Sequence, residues 1–413
     1  PGSSGNRVQP RCRAGEGGGG PGDMGAVVSP LVLDRADAAT KHGDEISPRI
    51  CKRWRMADTE DPHAQFKGVK PVEERHRLDE AALAAWLAAN VEGFAGPLSI
   101  NQFKGGQSNP TYQLVTPAKK YVLRKKPGGK LLPSAHAVDR EFRVMSALYP
   151  TGFPVARQYA LCSDESVIGA MFYVMDMVEG RVLWDGSLRE LPKPERRQVY
   201  ESKIATLARL HTTDYEKIGL GDYGKPGNYF ARQIDRWSKQ YKLSETESID
   251  EMNRLIEWLP ATIPPGERTS IVHGDYRLDN LILHESEPRV IAVLDWELST
   301  LGDPLGDFTY YLMSWMMPHD GRAGLGGLDL AELGIPTIEE VVALYCRHTG
   351  RDGIPQLDWY FAYNAFRLAC ILQGIAGRVR DGTAASAHAT QMIQRIRPLA
   401  SAAFMFAQKA GLE

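Results

Sequence analysis

Within a long stretch of helical sequence, residues 270–295 form an island of strand-forming sequence that constrains the fold more than any other part of the chain. Ser270-Ile271-Val272, Leu281-Ile282-Leu283 and Val290-Ile291-Ala292-Val293-Leu294 are apolar runs of strand length. The first two are joined by His273-Gly274-Asp275-Tyr276-Arg277-Leu278-Asp279-Asn280, and the third runs straight into Asp295-Trp296-Glu297. Hairpin pairing of such strands sets Asp275 and Asp295 at neighbouring strand ends. An aspartate followed five positions later by asparagine in a loop between short strands supplies a carboxylate and an oxygen ligand side by side. Phosphoryl transfer to an alcohol requires both, with Asp275 as base or hydroxyl-orienting group and Asn280 and Asp295 as metal ligands. Two such oxygens suit Mg²⁺, whose remaining positions are filled by water and phosphate. The competing reading makes Asp275 and Asp295 turn residues only, and their joint occurrence in this order weighs against it.

The flanking sequence divides in two. Residues 78–91 read as an amphipathic, alanine-rich helix with Asp79 near its start. Residues 98–103, 111–116 and 120–125 read as strands of a meander, 134–148 as a helix carrying Glu141, and 167–178 as a strand or hairpin ending at Glu179-Gly180. After Gly180 helices dominate: 194–211, 229–241, 247–259, 338–348, 357–380 and 384–408, the last kinked at Pro398. Thr337 and Glu340 have the spacing of a capping box. The fold class is therefore α+β, with a small β-rich lobe over residues 75–180 and a helical lobe over 181–413.

Composition narrows the partners. The 413 residues carry a formal net charge of −2, which speaks for neither a nucleic-acid nor a membrane partner. Five scattered cysteines without a CxxC pair fit a reducing, cytoplasmic setting rather than a disulfide framework or zinc site. Residues 1–55, rich in Gly, Ser, Pro and Arg, read as a disordered or non-native extension, with Met56 as a start. Oligomeric state stays open, a homodimer included.

The order His273-Gly274-Asp275 … Asn280, Leu294-Asp295-Trp296-Glu297 and Gly302-Asp303-Pro304-Leu305-Gly306-Asp307 resembles the aminoglycoside phosphotransferase–choline kinase superfamily. Protein kinases share the five-residue offset from aspartate to asparagine. The resemblance covers roughly residues 75–410. Within it, the run VLRKKPGGKLLPSAHAVDREFRVM looks like the kinase-like domain associated with acyl-CoA dehydrogenases. It implies a two-lobed kinase-like fold, ATP and Mg²⁺, and a hydroxy-acid or hydroxyacyl-CoA acceptor. His273 would then buttress the loop, Asp307 would fix it by accepting backbone N–H bonds, and Asp303 would cap a helix.

On the nucleotide side, Gly105, Gly106, Gln107 and Ser108 sit where a glycine-rich hairpin lays backbone N–H groups over phosphates. Strand alternation puts Val122 and Arg124 on one face, an apolar roof beside a phosphate-binding cation, with Glu141 as its partner. Arg124 stands where kinases carry lysine, and Lys125 or Lys126 takes that role if the register shifts by one. Asp176 and Val178 fall where a hinge would meet adenine. On the acceptor side, Arg277 and Glu297 flank the motif, with Glu297 either touching substrate or solvated. Arg367 and Gln373 lie on an apolar helix, and a buried arginine there needs an internal carboxylate or a substrate anion. The alternatives are an aminoglycoside- or choline-type kinase, whose cationic acceptors want acidic or aromatic surroundings, and a non-catalytic nucleotide-binding module.

Overall fold

The computed structural model describes residues 67–104, 109–127, 137–382 and 389–413, all within the unit Glu60–Glu413. Its first part is an antiparallel sheet built from β1 (Val69–Lys70), β2 (Ser99–Phe103), β3 (Thr111–Val115), β4 (Lys120–Lys125), β5 (Gln158–Cys162) and β6 (Phe172–Asp176). The strand order is β1-β2-β3-β4-β6-β5. Alternation along the central strands gives the sheet two apolar faces. Tyr121, Leu123, Phe172 and Val174 pack against Leu83 and Leu87 of α1 (Glu80–Asn90), which Asp79 caps by accepting from the Ala82 N–H at 2.9 Å. Val122, Tyr173 and Met175 turn to the opposite face and join Val138, Val144 and Met145 of α2 (Val138–Leu148) in the main core. Arg124 shares the face of Val122 and pairs in register with Tyr173, so it points toward α2.

Gly180 marks the crossing into the helical part. A Cβ there would lie 2.3 Å from the Leu283 carbonyl, so only glycine lets the chain pass. Arg181 and Leu283 then exchange backbone hydrogen bonds of 2.8 Å, which ties the connection to the strand that follows Asn280.

The helical part holds α3 (Lys193–Thr212), α4 (Tyr229–Ser244) and α5 (Asp250–Ala261), then β7 (Ser270–Val272), β8 (Leu281–Leu283), β9 (Val290–Val293) and β10 (Thr300–Gly302). The chain continues through α6 (Pro304–Leu312), α7 (Leu330–Leu333), α8 (Ile338–Thr349), α9 (Leu357–Arg380), α10 (Ala389–Ile393) and α11 (Ile396–Lys409). Helix α9 is the spine: α4, α6 and α11 all pack on it, and Phe230 of α4 wedges between Trp359, Tyr360 and Tyr363 with ring centroids 5.0 to 5.5 Å apart. The Thr337–Glu340 capping box opens α8 as its spacing predicts.

Three elements depart from the sequence reading. Strand β5 forms from QYALC, which has no clean alternation, because the ladder of β6 recruits it. Strand β10 pairs with β7, so β8 pairs only with β9 and the island is two small sheets. The final helix is two segments, with Pro398 in the first turn of α11, where a missing N–H is harmless. Residues 1–66, the whole run from 128 to 136, and 383–388 lie outside the described residues. Among the described residues no helix is long and apolar enough to cross a membrane.

Candidate active site

The loop after β7 is held by its own backbone. Gly274 adopts φ 85°, and a Cβ would meet the Leu298 carbonyl oxygen at 2.8 Å, so both conformation and space demand glycine. Asp307, in the first turn of α6, is buried and accepts from the His273 N–H at 2.6 Å and the Gly274 N–H at 3.0 Å. Asp303 caps the same helix through Leu305 and also accepts from the Arg268 N–H. Burial alone would push the Asp307 carboxyl up, but His211 and the groups of His273 outweigh it and hold it below its usual value. His211 had no sequence signal: its Nε2 lies 3.3 Å from Asp307 Oδ2 and its Nδ1 2.8 Å from the Tyr345 hydroxyl. His273 accepts from the Asp275 N–H on Nδ1 at 3.2 Å, which leaves Nε2–H to donate to the Leu294 carbonyl at 2.8 Å.

These restraints set the side chains. The Asn280 amide donates to the Asp275 carbonyl at 3.0 Å and to Asp275 Oδ2 at 3.1 Å. Arg277 Nε lies 3.2 Å from the same Oδ2, and Arg277 also reaches Asp279 at 3.2 Å. Asp275 Oδ1 accepts from the Tyr310 hydroxyl at 2.8 Å, a contact that sequence reasoning missed. The Leu294 N–H donates to the Asn280 carbonyl at 2.8 Å, which sets Asn280 beside the end of β9 and Asp295. With its amide nitrogen spent on Asp275, Asn280 keeps its oxygen for a hard cation.

Asp295 sits at φ 63°, ψ 64°, a left-handed conformation that aspartate tolerates better than most residues. Its Oδ1 accepts from Arg124 at 2.8 Å. Arg124 Nε is 3.2 Å from Glu141 Oε2, and the same Nη2 that meets Asp295 is 3.6 Å from Glu297. Glu141 is 1% exposed and also accepts from Asn109 and from the Tyr173 hydroxyl, each at 3.0 Å. Burial pushes the Glu141 carboxyl up to about 7 against the pull of Arg124. One guanidinium among three carboxylates leaves an excess of negative charge, and that excess is what a divalent cation at Asp295 would neutralise. The donor set therefore fits Mg²⁺.

Other expected residues fall elsewhere. Gly105, Gly106, Gln107 and Ser108 lie outside the described residues. The Asp176 carboxylate is engaged at Oδ1 by Lys119 and Tyr159, each at 2.6 Å, and its N–H donates to the Arg157 carbonyl. Val178 packs, half-buried, against the main core. Gln373 is buried and bonds the Ser244 carbonyl and the Thr246 hydroxyl, so it staples the turn between α4 and α5 instead of facing a substrate. Arg367 does not meet the internal carboxylate that was one of its two expected partners. It donates to the Gly274 carbonyl at 3.0 Å and faces the rings of Tyr310 and Trp237, 5.1 and 5.9 Å from their centroids. Among the described residues no carboxylate lies within ion-pair distance of it. On and beside the carboxy-terminal helices, Arg380, Arg395 and Arg397 pair with Asp381, Asp320 and Glu247.

Comparison with known proteins agrees with this architecture. The model of the phosphotransferase enzyme family matches residues 99–345. A crystal structure from Ralstonia eutropha JMP134, provisionally described as an aminoglycoside phosphotransferase, is 56% identical, with 81% of this chain covering 100% of that one at a TM-score of 0.77. Acyl-CoA dehydrogenase family member 10 of Mus musculus is 42% identical over 352 residues, which is 84% of this chain and 33% of that protein. The chain thus spans about a third of that relative's length. Spectinomycin phosphotransferase, solved with ADP and spectinomycin, shares the fold alone, at 12% identity over 79% of this chain and 98% of its own, with a TM-score of 0.53. The sheet-bearing first part and helical second part are those of the protein-kinase-like phosphotransferases, and this chain belongs to the phosphotransferase enzyme family.

Proposed function

We propose that the chain is an ATP- and Mg²⁺-dependent phosphotransferase that phosphorylates a hydroxyl group of a small molecule. The observation that carries this reading is that the Asn280 amide bonds Asp275, the Leu294 N–H bonds Asn280 beside Asp295, and Arg124 of the sheet, paired with Glu141 of α2, meets the Asp295 carboxylate. Asp275 orients the acceptor hydroxyl and takes its proton. Asn280 and Asp295 hold the metal, and Arg124, kept in place by Glu141, meets the phosphates of the nucleotide. When bound, Mg²⁺ supplies the positive charge that neutralises the transferring phosphoryl group.

The acceptor we favour is a hydroxy acid or its CoA thioester. Support comes from the relatives named as acyl-CoA dehydrogenase family members and from Arg277, a cation next to Asp275. The aminoglycoside reading rests on the description of the Ralstonia structure. The test is phosphate transfer from Mg-ATP across hydroxy acids, their CoA thioesters, choline and kanamycin, in wild type, Asp275→Ala and Asp295→Asn. Transfer to one anionic class, lost in both variants, is the expected result. Transfer to kanamycin or choline overturns the acceptor class, and full activity of Asp275→Ala overturns the base.

A further inference from the structure

The two oxygens of Asp275 are not equivalent. A carboxylate oxygen accepts at two positions. On Oδ2 both are taken, by the Asn280 amide at 3.1 Å and by Arg277 Nε at 3.2 Å. On Oδ1 one is taken, by the Tyr310 hydroxyl at 2.8 Å. Any hydroxyl that hands its proton to Asp275 must therefore come to Oδ1, where another O–H already donates.

Tyr310 is built into that place. It lies on α6, three residues after Asp307, the carboxylate that fixes the His273 and Gly274 backbone, so one helix sets both the loop and the hydroxyl above it. The Arg367 guanidinium faces the Tyr310 ring at 5.1 Å and donates to the Gly274 carbonyl at 3.0 Å, which locks ring and loop together. This arrangement also accounts for a buried arginine that has no carboxylate within reach among the described residues.

We propose that Tyr310 is a positioning residue that selects Oδ1 of Asp275 as the proton-accepting oxygen and stands in for the acceptor hydroxyl there, so that water is a poor substitute for the acceptor. The proposal rests on Asp275 being the base. The reaction it suppresses is the attack of a water oxygen on the γ-phosphorus. That oxygen bonds to phosphorus, the bond from phosphorus to the β–γ bridging oxygen breaks, ADP leaves with the electron pair, and the water proton passes to Oδ1. An acceptor held by its own binding contacts can displace the tyrosine hydroxyl or slide in beside it; a water molecule has no such contacts.

The experiment needs no knowledge of the acceptor. Phosphate release from Mg-ATP is measured without acceptor in the full chain for wild type, Tyr310→Phe, Asp275→Ala and the double variant. Tyr310→Phe keeps the ring against Arg367 and removes only the hydroxyl. Expected is a roughly three- to tenfold rise in phosphate release, the scale of one charge-assisted hydrogen bond, with KM for Mg-ATP and Tm unchanged. The double variant should fall to the level of Asp275→Ala. If Asp275→Ala is inactive but Tyr310→Phe releases phosphate no faster than wild type, the proposal fails and the base reading stands. If Asp275→Ala releases phosphate at the wild-type rate, the base reading fails and the proposal falls with it. A rise in Tyr310→Phe that persists in the double variant also overturns it, because the tyrosine would then act without Asp275.

Discussion

The loop after β7 and the Arg124 cluster secure their aspartates, Asp275 and Asp295, by different means. The loop of Asp275 is held through main chain, because the buried Asp307 accepts the N–H groups of His273 and Gly274, while the Asp275 carboxylate is met by the side chains of Asn280, Arg277 and Tyr310. Asp295 is held through side-chain charge, because Arg124 reaches it from 171 residues away in sequence and is itself fixed by Glu141. A backbone restraint is rigid, and its loss strands N–H groups where water cannot replace the partner. A charge restraint can be exchanged. The guanidinium that now holds Asp295 can pass to a phosphate, and the carboxylate it leaves can pass to a cation. The loop that carries Asp275 is hydrogen-bonded to the fold, and the cluster around Asp295 is balanced by ions.

Asp307→Ala should break the comparison most severely. It strands two buried N–H groups and His211, so about 3 to 5 kcal/mol of stability and at least about a hundredfold in turnover should be lost. Denaturant melts and initial rates decide it, and a variant with wild-type Tm would refute a backbone-held loop. Lys203 sharpens the contrast between paired and unpaired cations. It is 3% exposed, has no carboxylate partner among the described residues, and lies over the rings of Tyr200 and Tyr311 at 4.3 and 4.9 Å. Burial pushes its amine down to about 7, so between that pH and about 10.5 the unfolded chain holds a proton that the folded chain lacks. Its penalty is therefore full below about pH 7 and fades as pH rises. Lys203→Met should gain a few kcal/mol at pH 7 and much less at pH 10; an equal gain at both would show that the lysine is not neutralised by folding.

Arg124→Lys should act through the ligand instead of the fold. A single ammonium cannot span Glu141 and Asp295 as the guanidinium does, so KM for Mg-ATP should rise about tenfold with little change in Tm. A large fall in Tm with unchanged KM would make the cluster structural. Tyr345→Phe is the mildest change. It removes the hydroxyl bonded to His211 and should lower stability by about 1 kcal/mol, with a few-fold loss in kcat and none in nucleotide affinity. A loss confined to nucleotide affinity would disconnect that relay from the catalytic loop.

Much of the fold was legible because it is written locally. The period of residues 357–380 gives α9 with the same bounds, and Thr337 and Glu340 name the start of α8. Asp275, Asn280 and Asp295 were readable for the same reason: their loops are short and their strands adjacent. The missed elements take their form from partners elsewhere, as β5 does from β6 and β10 from β7. Arg367 and Gln373 show the limit on side chains. Each was singled out as a polar group on an apolar helix, and each spends itself on the protein's own carbonyls, a choice that depends on which turn happens to lie opposite.

The sequence by itself determined the chemistry on offer: two aspartates and an asparagine at the ends of a β-island, an arginine on the sheet face of Val122, and a glutamate on the next helix. Hydrogen-bond spacing and strand alternation act over a few residues, so composition and order suffice for them. Only the tertiary structure decided that Arg124 would rest on Asp295, that His211 and Tyr345 would stand behind Asp307, and that the Tyr310 hydroxyl would occupy one oxygen of Asp275. Those contacts join residues far apart in sequence, on separate helices, strands and loops. Their distances are set by how whole elements pack around one core, and no local pattern in the chain carries that information.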